Sequence, residues 1–152
     1  MISRMSTLAR RLGRVTLVAA GVGAPAVATA QCAPHASPTA HVRIVEPKQG
    51  ATVTGPSVHV ALEAKGIEIA PAAEQRAGTA HHHLFLDTDV TAADVGIPAG
   101  TTGIVHLGKG QSDYTFEAVT PGPHRLIAVL ADPNHVPLKP LVADTVRFTV
   151  KP

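Results

Sequence analysis

Apolar and polar residues alternate in short runs along this chain. In residues 57–63, Val58, Val60 and Leu62 fall on one face and His59, Ala61 and Glu63 on the other, the two-residue period of a half-buried strand. Runs of similar length cover residues 41–45, 80–87, 103–107 and 112–118, the last with Tyr114 and Phe116 on one face. Residues 124–131 are apolar on both faces, which predicts a central strand. In residues 145–150, Val146, Phe148 and Val150 point inward. Turns rich in Gly, Pro, Asp and Asn separate these runs at 47–50, 108–110, 121–123 and 132–134. Residues 65–78 read as a connection with an apolar patch at Ile67 and Ile69, and residues 88–103 as a long loop. About seven strands and no convincing helix predict an all-β fold, an immunoglobulin-like antiparallel β-sandwich.

Composition agrees with this pattern. Thirteen Gly and thirteen Pro are too many for a helical bundle and suit short strands joined by turns. With 45% hydrophobic and 16% charged residues, the chain is not disordered by composition.

The first thirty residues have a different character. Arg4, Arg10, Arg11 and Arg14 form a basic start, residues 15–28 are apolar and small, and Ala28-Thr29-Ala30 is an A-x-A site. This is the anatomy of a secretory signal peptide, cleaved after Ala30. The apolar run is shorter than the ~20 residues a spanning helix needs, so no membrane span is expected after cleavage. The expected organisation is a signal peptide at 1–30, a flexible tail at 31–40 and a β-sandwich domain at 41–152, located in the periplasm or secreted. Losing the four arginines leaves nine basic residues against eleven acidic ones, a net charge of −2 with His neutral. No nucleic-acid footprint remains. Cys32 is the single cysteine, so no internal disulfide is available, and the thiol stays free, oxidised or bridged to another chain.

Candidate chemistry rests on nine histidines. In His81-His82-His83-Leu84-Phe85-Leu86-Asp87, strand alternation puts His81, His83, Phe85 and Asp87 on one face and His82, Leu84 and Leu86 on the other. Two imidazoles ~7 Å apart along a strand can lean onto one ion. Further ligands then have to come from other segments. His106 and His135 are the best placed, with His82 and His124 as alternatives. Imidazole ligands suit copper or zinc. Asp87 and Asp132 are candidate acceptors that orient a ring, and Gln111 can offer an amide near His106. Alternatively, His82 points inward and donates to a backbone carbonyl.

Other chemistries find little support. His106-Leu107-Gly108-Lys109-Gly110-Gln111 lacks the Ser or Thr that a phosphate loop places after Lys, and reads as a hairpin whose glycines supply positive φ. No G-x-S-x-G motif or paired catalytic carboxylates are present, so no enzyme is expected. In 132–137, Pro133 and Pro137 stiffen a loop that carries Asn134 and His135.

As a set, Gly78, His81-His82-His83-Leu84, Asp87, His106, Gly108-Lys109-Gly110-Gln111, Pro121-Gly122, His124, Asp132 and Asn134-His135-Val136-Pro137 resemble a bacterial exported family, domain of unknown function 4399, from about Val58 to Val150. The resemblance implies a small periplasmic β-sandwich and no particular activity. Leu138 departs from the family pattern, which carries a further His after the proline. The reading is a periplasmic, non-enzymatic binding domain with a copper or zinc ion at His81, His83, His106 and His135. The alternative is a structural or interaction module for an unknown protein partner, in which the His, Asp and Gln residues only stabilise loops.

Overall fold

The computed structural model describes residues 39–92 and 94–152. The expected signal peptide, Cys32 and all but the end of the expected tail lie outside these residues. Nine strands form among the described residues: β1 (His41–Glu46), β2 (Thr52–Thr54), β3 (Val58–Lys65), β4 (Glu68–Ile69), β5 (Thr79–Leu86), β6 (Ile104–Leu107), β7 (Asp113–Phe116), β8 (Gly122–Ala131) and β9 (Ala143–Lys151). A single 3-10 turn spans Ala72–Glu74. Among the described residues, no helix is long and apolar enough to cross a membrane.

The strands form two sheets. In the smaller, β3 lies between β1 and β7 and pairs antiparallel with both. The larger runs β2-β9-β8-β5, and the free edge of β5 is shared by β4 at Thr79 and Ala80 and by β6 from His82 to Phe85. Two sheets with β1-β3-β7 facing β9-β8-β5-β6 make the immunoglobulin-like sandwich that the alternation predicts. All seven expected strands are present. β2 and β4 are additional: at three and two residues they are too short to show a period, and each adds in parallel to a neighbour's edge.

The segment at 108–110 corrects one expectation. It is not a hairpin, because β6 pairs with β5 in the large sheet whereas β7 pairs with β3 in the small one. The chain crosses between sheets here. Of the two glycines, Gly110 has a positive φ of 78° and Gly108 does not.

The main core lies between the sheets. It joins Val58, Val60 and Leu62 of β3 to Leu84 of β5, Leu126, Ala128 and Leu130 of β8, and Val146, Phe148 and Val150 of β9. Burying each of the large side chains contributes about 1.5–3 kcal/mol. A second cluster, Phe85, Ile97, Ile127, Val129 and Ala131, covers the outer face of β5 and β8, with Val90 and Ile104 against it. Loop residues Val90 and Ile97 thus roof the outside of the large sheet. This explains why β8 is apolar on both faces, and it gives β5 a buried outer face on which polar side chains can be held.

Candidate metal centre

That outer face carries the histidines. Alternation along β5 turns His81, His83 and Phe85 outward, opposite Ala131, Val129 and Ile127 of β8. Both rings are about as buried as the core, His81 and His83 each being 1% exposed. On the other side, antiparallel pairing sets His106 of β6 directly across from His83. His135 comes from the connection that follows β8. There Asp132 and Val136 close the loop through an Asp132 N–H to Val136 carbonyl bond of 2.9 Å, and the His135 N–H donates to the Asp132 carbonyl at 2.9 Å. His135 adopts the left-handed region at φ 67°, where His is tolerated better than most side chains.

The four rings meet. His81 Nε2 and His83 Nε2 are 2.9 Å apart, and His135 Nε2 and His106 Nε2 are 3.2 Å apart. One nitrogen from each of the four lies within 4.8 Å of all the others. An ion with tetrahedral bonds of ~2.0–2.1 Å needs nitrogens about 3.3 Å apart, so the two close pairs lie near that spacing and no other separation has to shrink by more than about 1.5 Å. Among the described residues this cluster can hold a metal ion.

The electrostatics favour neutral rings. Burial, then the neighbouring His106, His135 and His82, push His81 down to about 4. Burial, then His81, His106, His135 and His82, push His83 down to about 3. His106 is lowered by burial and by His135. At a 2.9 Å separation, His81 and His83 cannot both carry a proton on Nε2, so at least one lone pair faces the cluster. Their Nδ1 atoms are buried without a protein hydrogen-bond partner. The usual carbonyl or carboxylate behind a ligating imidazole is therefore missing, and packing holds these rings instead.

The other expected site residues sit around the cluster rather than in it. His82 points inward, fully buried, and its Nδ1 donates to the Gln111 carbonyl at 3.2 Å. Burial lowers it, partly offset by that carbonyl. Gln111 uses its side-chain oxygen to accept the Lys109 N–H at 2.9 Å, which fixes the crossover instead of offering an amide to the site. Asp132, 4% exposed, touches no ring. Its Oδ1 accepts from Asn134 N–H at 3.0 Å and Val136 N–H at 2.8 Å, so it shapes the loop that presents His135. Asp87 departs from the face shared by His81 and His83 because its φ of 55° ends the strand. It does orient a ring, that of His124, with Nδ1 donating to Asp87 Oδ2 at 2.6 Å and Nε2 donating to the Thr120 carbonyl at 2.7 Å. His124 is thereby engaged elsewhere. Leu138 is 2% exposed in the main core, so the family departure at this position takes no ligand from the cluster.

Three supporting groups escaped the sequence reading. The Ile97 N–H donates to the His135 carbonyl at 2.8 Å, tying the long loop to His135. Gln75 Nε2 donates to the Pro133 carbonyl at 3.0 Å and the Ala72 carbonyl at 2.9 Å, bracing the same loop. Gly108 lies beneath the His106 ring. None of the three belongs to a residue type that announces metal chemistry.

In fold, the chain is similar to fibronectin(III)-like modules of Clostridium thermocellum CbhA, with 16% identity and a TM-score of 0.43 over 72% of this chain and 95% of that one. It is also similar to an engineered protein, with 12% identity and a TM-score of 0.46 over 74% of this chain and 20% of that one. No curated protein matches it. The family described as domain of unknown function (DUF4399) matches over residues 60–151, which span the cluster and both sheets, and the chain belongs to that family.

Proposed function

We propose that this chain is an exported, non-enzymatic binding domain that holds one copper or zinc ion at His81, His83, His106 and His135 and serves in metal handling or delivery. The observation that carries the reading is convergence: imidazole nitrogens from β5, β6 and the 132–136 loop meet within 4.8 Å. Imidazole must be neutral to bind a metal, and burial keeps His81 and His83 so at neutral pH. Four protein nitrogens complete a tetrahedral shell, whereas catalytic zinc keeps a position open, which supports a carrier over an enzyme. The basic leader and its A-x-A site support export.

A second reading draws on the two ring–ring contacts of 2.9 and 3.2 Å, which are also hydrogen-bond distances. In it, the histidines pin loops of a structural or interaction module that meets an unidentified protein partner. Protein purified without a tag or nickel column separates the two. Near-stoichiometric copper or zinc, bound at one tight site that His83→Ala and His135→Ala abolish, is the expected result. Protein that takes up neither metal, and whose variants lose stability in metal-free buffer, overturns the metal reading in favour of the second.

A further inference from the structure

We propose that Gly108 is a specificity-determining residue of the metal centre: its missing side chain leaves the space in which the His106 ring folds toward the other three imidazoles, and so fixes the fourth coordination position. The inference rests on the metal-binding reading above.

Gly108 follows His106 by two residues, just past the end of β6, and a side chain there would point at the His106 ring. A Cβ on Gly108 would overlap Cε1 and Nε2 of His106 and stand 3.0 Å from its Nδ1. The ring edge that carries Nε2, the atom 3.2 Å from His135 Nε2, therefore fills the place of a side chain at 108. Backbone conformation gives no reason for glycine here, because Gly108 is not among the positive-φ residues, whereas Gly110 is. The ring is the reason.

An added methyl would be relieved at the ring and not at the backbone. The Gly108 carbonyl accepts the Ala72 N–H at 3.0 Å, and Leu107 is 1% exposed in the main core, so the strand end is held. His106 is exposed and has solvent to swing into. The sheet stays intact while His106 leaves, and His81, His83 and His135 remain. Three nitrogens with an open position are what zinc uses in catalytic sites, and four make a closed shell. One methyl at position 108 thus separates a closed from an open centre.

The test compares Gly108→Ala, His106→Ala and Gly96→Ala in the full chain, with Zn(II) competition titration and Co(II) absorption as probes. A Cβ at Gly96 would meet nothing within 4 Å and its φ is not positive, so Gly96→Ala should match the wild type. Gly108→Ala should weaken Zn(II) binding about 10–100-fold. It should also shift the Co(II) absorption spectrum away from that of the wild type, as His106→Ala does, with the melting temperature of metal-free protein unchanged. Wild-type affinity and spectrum in Gly108→Ala, with both lost in His106→Ala, overturn the inference and leave the metal reading standing. A wild type that takes up neither Zn(II) nor Co(II) overturns the metal reading and the inference with it. Should Gly108→Ala fail to fold, NMR on the metal-free wild type decides: a nuclear Overhauser contact between His106 Hε1 and Gly108 Hα supports the inference, and its absence overturns it.

Discussion

His83 and His106 face each other across the β5–β6 ladder with their rings stacked, centroids 4.9 Å apart and planes 25° from parallel. One ring is as buried as the core and the other is exposed. The cluster is therefore two-sided, with a fixed inner pair on β5 and an outer pair on elements that meet water.

The inner pair makes the metal-free protein sensitive to acid. His81 and His83 are held near about 4 and about 3, whereas in the unfolded chain each takes a proton near ~6.5. The unfolded state thus binds more protons between these values, and stability falls as pH falls. The contribution is complete above ~6.5 and is lost as pH drops through about 4 for His81 and about 3 for His83. Denaturant midpoints measured from pH 7 to pH 4 should decline, and His83→Phe should flatten the decline. A flat wild-type profile would contradict these depressed values.

Asp132 should matter to the ion without touching it. Asp132→Ala leaves the Asn134 and Val136 amides without their acceptor, at a cost of about 1–3 kcal/mol. The looser loop should weaken metal affinity about 10–100-fold, as removal of a supporting residue does elsewhere. Asp132→Asn keeps an oxygen in place and should recover most of both. Calorimetric titration beside thermal melts checks the pair, and an unchanged affinity in Asp132→Ala would show that His135 needs no such brace.

His82 and His83 are neighbours in sequence with opposite duties. His82→Ala empties a site in the main core and should cost about 2–5 kcal/mol of stability, with full metal stoichiometry retained. His83→Ala should abolish the tight site. Metal content and unfolding free energy, measured on both variants, distinguish the roles, and loss of the ion in His82→Ala would refute the assignment.

His124 runs the opposite way with pH. Desolvation lowers it, but the Asp87 hydrogen bond, the Thr120 carbonyl and the Asp87 charge outweigh that and raise it. With both ring nitrogens donating, the bonded form is the imidazolium. Its contribution is complete below ~6.5 and disappears as pH rises through the folded-state value. Asp87→Asn should destabilise the protein at pH 6 more than at pH 9, as read from melting temperatures. Equal losses at both pH values would rule out the charged pair.

Much of this site was legible in sequence because strand alternation is local. The face shared by His81 and His83, and the inward turn of His82, follow from a period of two. His106 and His135 were identifiable as candidates, but their meeting depends on the β5–β6 register and on a loop conformation that no local window contains. Asp87 shows the limit of alternation: one left-handed residue ends the strand and sends the carboxylate to another histidine. Gly108 looked like a turn glycine because the strands on either side resemble a hairpin until the sheets are known. The short β2 and β4 exist only through their partners' edges.

The 2.8 Å bond from the Ile97 amide to the His135 carbonyl joins two connections that are far apart in sequence. An ion seated on the His135 ring would restrain its peptide group, and that restraint would pass to the roof over Phe85 and Val129. The histidine cluster and its cover are thus latched together. Filling the centre would quiet a stretch of surface that contributes no imidazole, and slower hydrogen exchange at the Ile97 amide on loading is where that quieting would register.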